Sequence, residues 1–212
     1  MAQATLSATT TSPWRRRLSM VQDALLVVVS ALFFYAHARN AIDGRLTSVG
    51  FAVEQGLLVV MFLTRRRSFA TSTRPFDWVV AAGGWLPLLM RPADSPTTWA
   101  ALMGSSLQIL GLVGTCTAFL YLGKSFGVVA ANRGLKVSGP YRFVRHPIYL
   151  THTITAMGFV LANFTPINLG ILVALTACQV LRLKAEERIL TETDEYAAYA
   201  ARVRWRLVPG LF

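Results

Sequence analysis

Long apolar runs, separated by short segments that carry the arginines, constrain this chain more than any other feature. The last run extends from Ile148 to Leu181, too long for one membrane helix of about 20 residues. Asn163, Pro166 and Asn168 interrupt it near the middle, which predicts two helices joined in a tight hairpin. Earlier runs cover residues 18–36, 49–64, 76–90 and 98–122. The second contains Glu54, and the third contains Gly83, Gly84 and Pro87. Both read as tilted or kinked spans. The expected fold is all-α: a polytopic integral membrane protein of five or six helices, the last two forming the hairpin. Composition agrees. Only 15% of the residues are charged, against about 25% in soluble domains, and the mean hydropathy is +0.47.

The net charge of +11 admits nucleic acid, an anionic membrane or an acidic substrate as partner. Its placement decides. Lys and Arg lie between the apolar runs, not along one exposed stripe, so membrane lipids are expected as partners and nucleic acid is not. With a cytosolic N-terminus, the inner segments hold 18 Lys and Arg and the outer loops hold 3. That bias orients the chain. It puts residues 123–146 and the tail from Arg182 together on the cytosolic side. Residues 1–17 read as a disordered, basic N-terminal stretch. The run that follows resembles a signal peptide but is long and lacks a clear cleavage site, so it reads as an uncleaved anchor.

Several function classes fall away. Cys116 and Cys178 lie inside apolar runs without CxxC spacing, so neither a disulfide framework nor a metal site is expected. No GxGxxG occurs, so a soluble nucleotide-binding sheet has no glycine fingerprint.

Chemistry concentrates after residue 122. A basic, glycine-bearing loop runs through Arg133-Gly134-Leu135-Lys136 and Ser138-Gly139-Pro140-Tyr141 to Arg145-His146-Pro147-Ile148-Tyr149. Pro147 suits the first position of a helix, where no N–H need be satisfied. His146 then stands at the helix mouth, with Tyr149 in the first turn. A second cluster, Arg182 to Arg188, follows the last apolar run. Arg182 and Glu186 are four apart and share a helix face. Alone, that pair reads as an i,i+4 salt bridge. His152, deeper in the helix, reads as a packed polar residue. His37, just past the first run, stands apart from both clusters.

In order and spacing, Gly-Pro-Tyr-Arg-Phe-Val-Arg-His-Pro-Ile-Tyr, then Glu-Glu, then Asp-Glu-Tyr-Ala-Ala-Tyr, then Arg-Leu-Val-Pro-Gly resembles the isoprenylcysteine carboxyl methyltransferase family. That broad group includes membrane phospholipid methyltransferases. The resemblance covers about the last 90 residues. It implies a membrane enzyme that takes a methyl group from S-adenosylmethionine and gives it to a lipophilic small molecule or lipid. It implies cofactor contacts at Arg133, Gly134, Leu135, Lys136, Tyr141, His146, Pro147, Ile148, Tyr149 and Glu186, with no metal. Residues 133–136 match by spacing, so their backbone counts more than their side chains. Arg182 matches the arginine that holds a substrate carboxylate. Residues 18–122 then form the membrane helices, and residues 123–212 the cofactor-binding region with the hairpin and an amphipathic tail. In that tail Tyr196, Tyr199 and Val203 have helical spacing, and Arg202, Arg204 and Arg206 are placed to meet anionic headgroups.

Methyl transfer from a sulfonium is an in-line displacement, so positioning supplies most of the catalysis. A carboxylate or thiolate acceptor needs no base, whereas an amine or alcohol does. Phospholipid amines and thiols are therefore alternative acceptors. A non-catalytic membrane protein would explain the spans but not two polar clusters on one side.

The charge bias yields a topology test. In a background lacking Cys116 and Cys178, Lys124→Cys should react with an impermeant thiol reagent only from the cytosolic side, and Asp94→Cys only from the other. Cytosolic labelling of Asp94→Cys overturns the orientation.

Overall fold

The computed structural model describes residues 13–43, 47–64, 70–72, 74–91, 97–126, 131–132 and 134–212. Seven α-helices are described: α1 (Pro13–Ile42), α2 (Thr47–Thr64), α3 (Pro75–Ala82), α4 (Thr98–Leu122), α5 (Pro147–Ala162), α6 (Pro166–Leu190) and α7 (Asp194–Arg202). Residues 13–17, grouped with the N-terminal stretch on composition, are the first turns of α1. Residues 1–12 lie outside the described residues.

The all-helical polytopic membrane architecture is as expected. Helices α4 and α6 are each long and apolar enough to cross a membrane, and only 22% of each apolar stretch is buried inside the protein. Side chains such as Leu102, Ile109, Leu110 and Val173 face outward. In water such a surface would drive association; in a bilayer it meets a matching solvent. Apolar segments of α1, α2 and α5 are shorter. The third run is broken, as its glycines and proline suggested. Helix α3 passes into a 3-10 segment, Gly83–Leu89, with Pro87 inside it. Together they rise roughly 26 Å, at 1.5 Å and 2.0 Å per residue, close to the thickness of the hydrocarbon core.

Helices α4 and α5 pack most extensively, followed by α1 and α2. Glycine allows the closest approach. A Cβ on Gly104 would lie 2.5 Å from the Gly158 carbonyl oxygen, and one on Gly111 2.7 Å from that of Thr151. Small residues let membrane helices exchange close van der Waals contact for lipid contact. At this interface the Thr115 hydroxyl donates to Thr151 Oγ1 at 2.8 Å.

The predicted hairpin joins α5 to α6. Pro166 occupies the first turn of α6, and Thr165 caps it, accepting from Asn168 N–H at 3.0 Å. Asn168 reads from sequence as a helix breaker but sits inside the first turn, fully buried. Its amide donates to the carbonyls of Asn163 at 2.7 Å and Arg91 at 2.8 Å, and its oxygen accepts from Arg91 N–H at 3.1 Å. The hairpin turn is thereby tied to the end of the 3-10 segment.

At the opposite end, residues 70–71 pair antiparallel with residues 131–132. This short bridge puts the loop before α3 and the loop before α5 on one side of the bundle. Buried Asp77 of α3 accepts from Ser72 and from Arg188 of α6, fixing the start of α3 to the end of α6.

Asn168→Ala would strand three backbone groups. Each unsatisfied buried group costs about 1–3 kcal/mol. The variant should unfold at a clearly lower midpoint in a denaturing-detergent titration, while Ser106→Ala, at an exposed hydroxyl, should stay close to the parent. Equal midpoints would remove the clamp.

Candidate active site

Two helix stripes build the site. On α5, His146 at the N-cap leads to Tyr149, His152, Ala156 and Phe159; on antiparallel α6, Glu186 leads to Arg182, Gln179 and Leu175. Spacings of three and four place each set on one face. Both faces line a single cavity of about 600 Å³, completed by residues of α1, α2, the 3-10 segment and the loop at Gly134–Lys136. Its lining is polar near His146, Lys136 and Glu186. It is apolar toward Phe33, Leu58, Phe159 and Leu175.

At the polar end the carboxylates of Glu186 and Glu187 divide their contacts. Glu186 Oε1 accepts from the Tyr149 hydroxyl at 2.6 Å, and Oε2 faces His146 Nδ1 at 3.6 Å. Glu187 points the other way, into the protein. It accepts from Arg145 Nη1 at 2.8 Å, Arg206 Nε at 2.7 Å, the Tyr196 hydroxyl at 3.1 Å and His146 Nε2 at 3.3 Å. The guanidinium carbon of Arg182 lies 5.2 Å from the Tyr149 ring centre. A Cβ on Gly84 would come within 2.8 Å of its Nη1, so glycine there leaves room for the guanidinium.

The chain end closes this region. Arg145 N–H and His146 N–H donate to the carbonyls of Trp205 and Arg206, each at 2.9 Å. The Tyr199 hydroxyl donates to the Tyr141 carbonyl at 2.7 Å. Tyr196 and Tyr199 are buried and line the cavity, so α7 packs on the protein. Val203, expected to continue the helix, is its C-cap. Arg206, expected among headgroups, spends its Nε on Glu187 and stacks on Phe212, 5.3 Å from the ring centre.

Burial raises the Tyr199 phenol to about 12. It also raises Tyr141, with help from the negative charge of Glu186, and Tyr196, with help from Glu187, well above the ordinary phenol value. These hydroxyls stay protonated, and those of Tyr196 and Tyr199 act as donors. The buried Tyr141 hydroxyl has no hydrogen-bond partner among the described residues. In a cavity wall, such a group is a ready contact for a polar ligand.

Of the residues singled out by sequence, Gly134, Leu135, Lys136, Tyr141, His146, Ile148, Tyr149, Arg182 and Glu186 line this one cavity. Pro147 does not. It is buried at the first position of α5, where it starts the helix that carries the others. Arg133 lies outside the described residues. His37, expected to stand apart, lines the cavity and stacks on Phe51 with ring centres 5.2 Å apart. Glu54 and His152, separated by 98 positions, meet in the cavity wall. The Glu in an apolar run was the available signal, since intramembrane ionisable groups are costly to keep. Arg145, Glu187, Tyr196 and Arg206 form a network that motif order alone did not assign.

Residues 99–196, from the start of α4 into α7, match the family model of the phospholipid methyltransferases. Over that region the chain is similar to the phospholipid methyltransferases. It is a membrane methyltransferase, and enzymes of this kind use S-adenosylmethionine. A solved structure of a eukaryotic intramembrane Ras methyltransferase, isoprenylcysteine carboxyl methyltransferase, is similar over 91% of this chain and 86% of that one. Its sequence identity is 18% and its TM-score 0.46. No match is found among curated proteins.

The raised phenols in this methyltransferase carry a pH signature. The unfolded chain releases these protons near pH 10, while folded Tyr199 holds its own until about 12. Their contribution is complete below about pH 10 and is lost as pH rises through the folded value. Folded stability should therefore fall between about pH 10 and 12, and Tyr199→Phe should make the fall shallower. An identical alkaline slope in the variant overturns this.

Proposed function

We propose that this methyltransferase binds S-adenosylmethionine at the polar end of the cavity and transfers its methyl group to a lipophilic acceptor that enters from the apolar end. The observation that carries the reading is the cavity itself, which joins a charged cluster to an apolar channel between membrane helices. Its volume of about 600 Å³ falls in the range of small-molecule sites, roughly 300–1,000 Å³.

The residues present suit the cofactor. Glu186 offers a carboxylate to a cationic amino group. Lys136 offers a cation to a carboxylate. The Tyr141 hydroxyl needs a partner, and the Tyr149 ring is a π face suited to positive charge. Gly134, with a φ of 98°, permits backbone approach that a side chain would obstruct. Leu135 and Ile148 add apolar walls, Pro147 sets the helix start, and Arg133 adjoins the same loop in sequence. Bound S-adenosylmethionine supplies an electrophilic methyl group on a sulfonium. The protein holds the acceptor in line with it and excludes water.

Arg182 is the proposed anchor for an anionic group of the acceptor. It lies one turn deeper than Glu186 on the same face, toward the apolar end. A guanidinium grips carboxylate or phosphate oxygens with two parallel bonds, which an ammonium does not. The charge bias supports a site facing the cytosol. That side supplies the polar cofactor, and the bilayer supplies the acceptor.

Titration of radiolabelled S-adenosylmethionine into purified protein tests the reading. Losing one hydrogen bond to a charged group costs about 1.5–3 kcal/mol, roughly ten- to a hundredfold in affinity. Glu186→Ala and His146→Ala should each lose that much. Arg182→Lys should bind the cofactor like the parent yet turn over its best acceptor at least about tenfold more slowly. Unchanged affinity in both alanine variants overturns the cofactor site, and full turnover of Arg182→Lys overturns the anchor.

A further inference from the structure

The proposed methyl transfer leaves one polar device in the cavity without a task. Glu54 of α2 is buried, and its Oε1 lies 3.3 Å from His152 Nε2 of α5. His152 follows Tyr149 by three residues, so it stands about 4.5 Å deeper along the helix axis. The pair therefore lies just past the Tyr149 ring on which Arg182 rests, toward the apolar end. An ionisable pair at membrane depth is costly to maintain, and a wall that only holds hydrocarbon has no use for it. A purely structural strut between α2 and α5 would bury both partners. Here the carboxylate is shielded at 12% side-chain exposure, while 38% of the imidazole remains open.

The carboxylate fixes the tautomer. With Glu54 ionised, its carboxylate only accepts, so Nε2 carries the hydrogen and the lone pair is on Nδ1. Nδ1 has no hydrogen-bond partner among the described residues. A neutral imidazole oriented by a carboxylate, with its other nitrogen available, is equipped to receive a proton.

We propose that His152, oriented by Glu54, takes the proton released when a protic acceptor, an amine, thiol or hydroxyl on a lipophilic molecule, is methylated in this cavity. The acceptor's lone pair forms the bond to the methyl carbon. The carbon–sulfur bond breaks with its electron pair left on sulfur, and the acceptor's proton passes to His152 Nδ1. Glu54, a positioning residue, then faces an imidazolium and stabilises its charge. The anionic group held by Arg182 is in this case an anchor, distinct from the nucleophile. The inference rests on the proposed function, which supplies the methyl donor.

The test uses the full-length protein in mixed micelles with S-adenosylmethionine and three probes: dodecylamine, dodecanethiol and dodecanoate. Purified parent, His152→Gln and Glu54→Gln are compared for turnover, cofactor affinity and thermal midpoint. General-base contributions run to about 100-fold or more. His152→Gln should lose about that much on the amine and thiol, and Glu54→Gln about tenfold. Any turnover of dodecanoate should be unaffected in both, with cofactor affinity and midpoint unchanged. Equal losses on all three probes, accompanied by a lowered midpoint, would make the pair a strut and overturn the proposal. So would full protic activity in His152→Gln, or a parent protein that binds cofactor but methylates neither the amine nor the thiol. A parent that does not bind S-adenosylmethionine at all would instead overturn the proposed function.

Discussion

Glu187 bears the polar end of this molecule. Its carboxylate is nearly buried, yet it gathers Arg145 and His146 from the loop before α5, Tyr196 from α7 and Arg206 from the chain end. A buried carboxylate stripped of such partners would cost several kcal/mol. The network therefore joins four segments: the loop before α5, α6, α7 and the chain end. The order of the Glu-Glu dipeptide matters for a geometric reason. Successive helix residues point about 100° apart, so a Glu187 turned into the network leaves Glu186 turned toward the cavity. One carboxylate is consumed in holding the wall, and its neighbour remains with Tyr149 at the cavity's edge.

The membrane imposes the second constraint. No water is available to satisfy backbone groups within the bilayer, so irregular segments survive there only where protein covers them. The passage from α3 into the 3-10 segment, where no residue is fully buried, is covered along its α6 side, and its own turn hydrogen bonds serve the rest of its backbone. Gly83 sits against Cys178 and Gly84 against Arg182, both on α6, and Asn168 satisfies Arg91 just beyond the segment's end. The same glycines that weaken a helix let this strip of backbone lie close to α6. Room for the Arg182 guanidinium is thus a product of a broken span.

Much of this was legible in the sequence, for reasons that can be named. The apolar run from 148 to 181 had to break, and Pro166 could only begin a helix. Pro147 fixed the start of α5, and helical spacing then put His146 and Tyr149 on one face. Those signals are local. What stayed hidden depends on pairs far apart in the chain. Arg206 looked like one of three basic residues in an amphipathic tail, and nothing nearby reveals that it folds back on Glu187. His37 and Glu54 lie in helices whose sequences read only as generic spans, yet these helices complete the cavity wall. Asn168 looked like a helix breaker because its side chain competes with local backbone. Its actual partners include Arg91, 77 residues away.

The gradient along the cavity connects these parts to the proposed chemistry. A displacement at a sulfonium requires the nucleophile and the departing sulfur on opposite sides of the methyl carbon. A site entered by both reactants from one mouth would have to sort them. Here the two stripes run antiparallel, so the α5 sequence His146, Tyr149, His152 and the α6 sequence Glu186, Arg182, Gln179 descend together from polar to apolar surroundings. A charged cofactor is favoured at the top and a hydrocarbon tail at the bottom. In the proposed reaction their reactive ends meet near Tyr149 and Arg182 without competing for the same surface. Opposed entry reduces the orientational freedom that must be lost before reaction, the contribution from which positioning enzymes draw much of their rate. On this view the hairpin is more than a membrane anchor for the site. Its two facing stripes are the alignment device.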